Sequence, residues 1–143
     1  MRRSSLQSDS ESVTEGFGEK LAPELLGQKT FLFGELGVGK TTFIRGLAKG
    51  LGVRTKIKSP TFVGEHIHAI PGKGNLIHLD FYRAESLEVE KAERLQELFS
   101  GNETIVVEWG ERLPKKLLPK ERAELRFKEL RSGERKINFA KFP

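Results

Sequence analysis

Short hydrophobic runs recur along the chain in patterns that are typical of β-strands. Their apolar residues are consecutive or alternate with polar ones, and turn-forming residues separate the runs. The runs span residues 30–33, 62–69, 76–81, 104–109, 124–130 and 135–142. Residues 71–75 and 131–134 both contain glycine. The pattern therefore predicts one hairpin in the middle of the chain and another at its end.

Three amphipathic helices are predicted between these strands. The first spans residues 10–23, where Ser10 can cap the first turn and Pro23 is expected to end the helix. The second ends near residues 50–52, whose two glycines favour a left-handed cap. The third spans residues 85–99. This alternation predicts an α/β fold with a mixed, mostly parallel central sheet flanked by helices and a C-terminal β-hairpin.

Length and composition limit the chain to a few classes of protein. It has 143 residues, of which 36% are hydrophobic, which suits one domain with one core. Residues 1–9 are polar and are expected to form a flexible N-terminus, and residues 10–143 to form the domain. The absence of cysteine excludes a disulfide scaffold, a zinc ribbon and a cysteine nucleophile. The apolar runs are too short to cross a bilayer and no signal peptide is evident, so we expect a cytoplasmic protein without membrane contact.

The positive charge is concentrated at the C-terminal end. Residues 110–143 carry eleven Lys and Arg against five Asp and Glu, whereas the whole chain has a net charge of +5. Such a segment either attracts an anionic partner such as RNA or forms a well-solvated surface hairpin. If it binds tRNA, truncation after Pro119 is expected to abolish that binding.

A phosphate-binding loop follows the first predicted strand. Gly34 is followed after four residues by Gly39, Lys40 and Thr41, which completes the phosphate-loop pattern between a strand and a helix. Glycines allow backbone N–H groups to converge on a phosphate, and the helix N-terminus attracts its charge. Lys40 can reach the β- and γ-phosphates, and the Thr41 hydroxyl can coordinate Mg²⁺.

Two carboxylates at strand ends are candidates for the magnesium site. Asp80 and Glu108 each follow a buried strand, and the carboxyl ends of parallel strands face the ligand crevice. Alternatively each carboxylate caps its strand or pairs with a base such as Arg83 or Arg112. Thr61 lies in a proline-containing segment where nucleotide hydrolases place a switch, although a simple turn has the same composition.

Three histidines and the single tryptophan lie in or next to these segments of the sequence. His66 and His68 share one face of a strand and His78 follows on the pairing strand, but no cysteine or fourth ligand accompanies them, so the pattern favours histidines on a sheet face over a metal site. Trp109 follows Glu108 directly, and taken alone it indicates packing.

Residues 34–43, 59–62, 79–83 and 107–109 together closely resemble the TsaE family, formerly called YjeE. The resemblance implies a P-loop ATPase that is required for the threonylcarbamoyl modification of the adenosine next to the anticodon in tRNAs reading ANN codons. It also implies that ATP and Mg²⁺ are the cofactors and that ATP hydrolysis supports turnover of the TsaB and TsaD proteins. The tRNA would be contacted indirectly or through the basic C-terminal segment.

The resemblance also implies roles for individual residues. The expected nucleotide contacts are Glu11, Leu36, Gly37, Val38, Gly39, Lys40, Thr41, Thr42 and Trp109. The expected catalytic residues are Lys40, Thr61, Asp80 and Glu108, and the expected magnesium ligands are Thr41, Asp80 and Glu108. The residues alone identify neither a water activator nor an arginine finger, so we expect slow hydrolysis without partner proteins. The alternatives are a small-molecule or nucleotide kinase and a nucleotide-gated, non-catalytic module that binds tRNA or protein.

Overall fold

The computed structural model describes residues 1–35, 39–58, 64–81 and 89–143. Within these residues the strands β1 to β7 form one sheet in the order β1-β7-β6-β2-β5-β4-β3. They span Arg2–Ser8, Lys29–Phe33, Glu65–Ala69, Asn75–Asp80, Thr104–Glu108, Arg122–Glu129 and Arg135–Phe142. The central strands β6, β2, β5 and β4 are parallel, and the outer pairings are antiparallel. The predicted mixed α/β sheet and its middle hairpin are confirmed.

Helices cover the sheet from both sides. They are α1 (Glu11–Leu25), α2 (Lys40–Leu51) and α3 (Val89–Ser100). One core lies between the sheet and helices α1 and α2, and it includes Leu32, Phe43, Leu47, Val106 and Leu125. A second core on the opposite face includes Phe31, Ile77, Leu95, Ile105 and Val107. The predicted starts at residues 62 and 85 lie outside the described residues.

The expectation of a flexible N-terminus over residues 1–9 is wrong. Residues 2–8 form β1, which pairs antiparallel with β7 along its whole length. The polar composition concealed this strand because its backbone groups, rather than apolar side chains, make most of its contacts. Leu6 packs against the core, and Arg2 forms an ion pair with Glu24 of α1. The strand thereby covers an edge of the hairpin that would otherwise be unpaired.

The first helix begins where predicted but extends further. The Ser10 hydroxyl accepts a hydrogen bond from the Val13 N–H at 3.2 Å, so the predicted N-cap is confirmed. Pro23 does not end the helix, which continues to Leu25. A proline in the last turn removes only one backbone hydrogen bond. The fully buried Ala22 and Leu25 hold this turn against the core.

The predicted C-terminal hairpin exists, but it is not a solvated attachment to the surface. Strand β6 pairs in parallel with β2 at the centre of the sheet, and β7 connects β6 to β1. Leu125, Ile137 and Phe139 are essentially fully buried. Truncation after Pro119 would remove two core strands and so cannot serve as a test of tRNA binding.

Glycines allow α1 and α2 to pack unusually closely. A Cβ on Gly46 would lie 1.9 Å from the Glu15 carbonyl oxygen, and one on Gly18 would lie 2.3 Å from the Phe43 carbonyl oxygen. Both distances are far shorter than any van der Waals contact. The helix pair can approach this closely only because these positions lack side chains.

We expect Gly46→Ala to destabilise the fold by about 1–3 kcal/mol or more, because the added methyl group must push the two helices apart. Gly16→Ala is the matched control, since a Cβ on Gly16 meets nothing within 4 Å. This substitution in α1 is expected to stabilise the fold by about 0.5–1 kcal/mol through helix propensity. Urea denaturation measures both effects, and equal stability of the two variants would contradict the close packing.

Candidate active site at the carboxyl edge of the sheet

The candidate site lies where three parallel strands end. Strand β2 precedes the predicted phosphate loop in the sequence, and β4 and β5 end with Asp80 and Glu108, which are directly opposite each other in register. Helix α2 begins at Lys40 after Gly39, whose φ of 98° places it in the left-handed region. Glycine adopts this conformation without the strain that a Cβ would cause. The Thr41 hydroxyl in the first turn of α2 lies 3.4 Å from the Glu108 carboxylate, so the N-terminus of this helix is next to a strand-end carboxylate.

Lys40 is held inside the site. Its side chain is 4% exposed, its Nζ donates a hydrogen bond to the Gly34 carbonyl oxygen at 2.7 Å, and Nζ lies 3.4 Å from the centroid of the Trp109 ring. Desolvation lowers the pKa of Lys40, and the negative charges of Glu111, Glu108 and Asp80 partly oppose this. The ammonium group is thus stabilised by a carbonyl dipole and an aromatic face.

Trp109 is positioned by a strained turn directly after β5. It has a φ of 61°, the only non-glycine residue with positive φ in the described chain. It caps the 3₁₀ turn Gly110–Arg112, and the Arg112 guanidinium carbon lies 5.7 Å from the centre of its ring. Backbone strain of this kind is found preferentially at functional sites. Trp109, for which composition alone indicated packing, thus contacts the ammonium group of Lys40.

Glu108 connects the strand end to helix α2. It is 3% exposed, and its Oε1 accepts a hydrogen bond from the Thr41 hydroxyl at 3.4 Å. Its other oxygen, Oε2, lies 2.7 Å from Nε2 of His78. Among the described residues, the basic partner of Glu108 is thus His78 of β4 and not Arg112. Arg83, the other base considered, lies outside the described residues. The contact with Thr41 brings together two of the three predicted magnesium ligands.

The other residues that the sequence predicted for the site differ in how far they are buried. Asp80 is half-buried, and its backbone N–H donates to the Gly64 carbonyl oxygen at 3.0 Å. Thr42 is buried in the first turn of α2. Glu11 is exposed in the first turn of α1, where a Cβ placed on Gly39 would lie 3.7 Å from the Thr14 methyl carbon. Leu36, Gly37, Val38 and Thr61 lie outside the described residues.

Sequence reasoning missed two residues of this site. Glu111 accepts a hydrogen bond from the Gly34 N–H at 3.1 Å and so connects the phosphate loop to the turn after β5. His78 contacts Glu108, although the sequence pattern grouped it with His66 and His68. The position of His78 two residues before Asp80 on the same strand face was the available signal. Within the described ranges, no three or more His, Asp or Glu side chains are grouped so that they could hold a metal ion.

Comparison with known proteins agrees with the geometry. The family model described as "Threonylcarbamoyl adenosine biosynthesis protein TsaE" matches residues 8–137. The chain belongs to the TsaE family. The match extends from the end of β1 into β7, so it includes the phosphate loop and both strand-end carboxylates. The family resemblance predicted from four short motifs is therefore confirmed, and it connects the chain with tRNA threonylcarbamoyladenosine biosynthesis.

Individual relatives are similar over most of the chain. A TsaE protein of Streptomyces coelicolor is 45% identical over 96 residues, which cover 66% of this chain and 65% of that protein. One from Treponema pallidum is 39% identical over 114 residues, which cover 80% and 82%. The crystal structure of Bacillus subtilis YdiB has a TM-score of 0.77 at 28% identity and covers 99% of this chain and 87% of that one. The chain thus spans slightly less than two thirds of the Streptomyces TsaE protein.

No helix in the described ranges is long and apolar enough to cross a membrane.

The contact between Lys40 and Trp109 is expected to depend on pH. Since burial lowers the pKa of Lys40, the ammonium is present below that pKa and is lost at a lower pH than in an exposed lysine. Loss of the charge removes its attraction to the ring. Trp109 is the only tryptophan, so its fluorescence emission over an alkaline pH titration reports the change. The Lys40→Met variant is the control, and an identical titration of that variant would contradict the contact.

Proposed function

We propose that this TsaE protein is a magnesium-dependent ATP hydrolase that supports turnover of the TsaB and TsaD proteins in tRNA threonylcarbamoyladenosine biosynthesis. The observation that carries the proposal is the contact between Thr41 at the start of α2 and Glu108 at the end of β5. In phosphate-loop hydrolases, a hydroxyl and a carboxylate in these positions hold the metal ion of a metal–nucleotide complex.

The donor set fits magnesium. The Thr41 hydroxyl, the Glu108 carboxylate and the neighbouring Asp80 carboxylate offer oxygen atoms, which Mg²⁺ prefers, and nucleotide phosphates would supply further ligands. Thr41 and Glu108 would hold the ion, and Asp80 lies opposite Glu108 in register. When bound, Mg²⁺ neutralises negative charge on the phosphate oxygens.

Lys40 and the helix N-terminus would bind the phosphates. Residues 36–41 would surround them with backbone N–H groups, while the Lys40 ammonium would leave the Trp109 ring for the β- and γ-phosphates. Exchange of a neutral ring for an anion strengthens the electrostatic interaction of a poorly solvated ammonium. Thr42, Trp109 and Glu11 would complete the nucleotide contacts, the last from the first turn of α1.

Hydrolysis requires a water molecule in line with the γ-phosphate. Asp80 is half-buried and lies opposite Glu108 in register, so either carboxylate would be able to orient water, and Thr61 would contribute a hydroxyl from the switch-like segment. Arg112 lies over Trp109, and we assign it no role as an arginine finger. Hydrolysis by the chain alone is therefore expected to be slow, and TsaB and TsaD would complete the site.

We expect Mg²⁺-dependent ATP hydrolysis that increases when TsaB, TsaD and tRNA are added. Lys40→Ala should lower the turnover about 100- to 1,000-fold, because charge stabilisation at the transferred phosphate is lost. Lys49→Ala is the matched control, since Lys49 lies exposed near the end of the same helix. Phosphate release under saturating ATP measures the effect.

Other outcomes of this assay would favour the alternatives. Phosphate transfer to an added small molecule or nucleotide, without release to water, would indicate a kinase. Nucleotide binding without turnover under any condition would indicate a nucleotide-gated binding module. Full activity of Lys40→Ala would remove the phosphate loop from the mechanism.

We also propose that the tRNA is contacted directly, by a basic sheet surface that we call the cationic face. It consists of the exposed residues Arg3, Arg126, Lys128 and Lys136 on strands β1, β6 and β7. Lys128 and Lys136 are directly opposite in register, and neither forms an ion pair within the described part of the chain. Like charges in this arrangement destabilise a sheet. A polyanion such as tRNA would relieve this repulsion.

We expect Lys128→Ala and Lys136→Ala each to weaken tRNA binding and to reduce the slope of log K against log salt by about 1. Neither change should destabilise the sheet, because each removes one member of a repulsive pair. Lys49→Ala serves as the control on the opposite, helical side. Fluorescence anisotropy of labelled tRNA over a salt series measures binding. Equal slopes for all variants would show that the cationic face does not contact tRNA.

A further inference from the structure

His78 is a buried polar side chain that the proposed phosphate chemistry does not explain. It lies in β4 on the sheet face that packs against α2, and its side chain is completely buried. Its Nε2 is 2.7 Å from Oε2 of Glu108, which belongs to the neighbouring strand β5. Most side-chain hydrogen bonds go to the backbone or to water rather than to another side chain, so this contact calls for an explanation.

The contact defines the location of the histidine proton. Whenever Glu108 is ionised, its carboxylate can only accept hydrogen bonds, so Nε2 of His78 then carries the hydrogen and donates it to Oε2. The Nδ1 atom is buried and has no hydrogen-bond partner within the described residues. An apolar residue of similar size would avoid this desolvation penalty. His78 therefore stabilises the core less than a leucine at the same position would.

The same hydrogen bond determines the orientation of the Glu108 carboxylate. One oxygen is held by His78, so the other oxygen points towards the Thr41 hydroxyl, where the contact is 3.4 Å. Without His78 the carboxylate group could rotate and exchange its two oxygens. A hydrogen-bonded partner of this kind orients ligands in many metal sites and accounts for much of their affinity.

We propose that His78 is a positioning residue that orients Glu108 towards the metal ion. This inference rests on the proposed function, because it takes Glu108 and Thr41 as magnesium ligands. His78 itself does not bind the ion in this proposal, since its Nε2 contacts Glu108 and its Nδ1 is buried. Its contribution is the orientation of a carboxylate before the metal–nucleotide complex arrives.

The test is the affinity of the purified protein for Mn²⁺ in the presence of ADP, measured from the electron paramagnetic resonance signal of free Mn²⁺. His78→Leu should weaken Mn²⁺ binding about 10- to 100-fold. His78→Gln should recover most of this loss, because its amide nitrogen is the same number of bonds from Cα as Nε2 and can donate to Glu108. Affinity for ADP without metal should remain unchanged in both variants.

A control variant separates positioning from general packing. His68 is also buried on this sheet face, but its Nδ1 pairs with the Thr55 hydroxyl at 2.7 Å instead of with Glu108. His68→Leu should therefore leave Mn²⁺ affinity unchanged. If His78→Leu does not fold, as urea denaturation would show, His78→Asn replaces it, because its shorter amide cannot reach Glu108.

Two results would overturn the inference. One is wild-type Mn²⁺ affinity in His78→Leu or His78→Asn, and the other is an equal loss in His78→Gln, which would make the donated hydrogen bond irrelevant. Glu108→Gln distinguishes this failure from failure of the proposed function. If Glu108→Gln weakens Mn²⁺ binding and the His78 variants do not, only the positioning role is wrong. If Glu108→Gln binds Mn²⁺ normally, the proposed metal site itself is wrong.

Discussion

The parallel pairing of β2 with β5 and β6 is the constraint on which the candidate site depends. Parallel strands cannot be joined by a tight turn, so each neighbour of β2 comes from a distant part of the chain. Their carboxyl ends meet at one edge of the sheet, and β4 joins them in the same direction. Lys40 at the start of α2, Asp80 and Glu108 consequently lie at the same edge, which is where ligands bind in α/β sheets.

Polar groups buried at this edge are stable only because they contact one another. Lys40 is held by a carbonyl oxygen and the Trp109 ring, while Glu108 is held by Thr41 and His78. In a poorly solvated environment such contacts are stronger than in water, and an unpaired charge would be costly. The arrangement therefore keeps a cation and a carboxylate in position near the N-terminus of α2, as the proposed binding of a metal–nucleotide complex would require.

In the other half of the sheet, strands β6 and β7 have one buried apolar face and one exposed basic face. Strands β6 and β7 bury apolar residues such as Leu125 and Phe139 towards α1 and α2, and they expose basic residues on the opposite face. The alternation of side chains along a strand allows both properties in the same segment. The positive charge of the C-terminal segment is thus compatible with its place in the core, which the total charge could not reveal.

The amino-acid sequence by itself determined features that depend on neighbouring residues. Periodicity placed the helices and most strands, Ser10 was recognisable as a cap, and the glycine pattern with Lys40 and Thr41 indicated a phosphate loop. The tertiary structure alone decided that β1 pairs with β7, that the terminal hairpin is central, and that His78 contacts Glu108. These features depend on the register between distant segments. Register arises from the packing of the whole sheet, which local patterns of polarity do not encode.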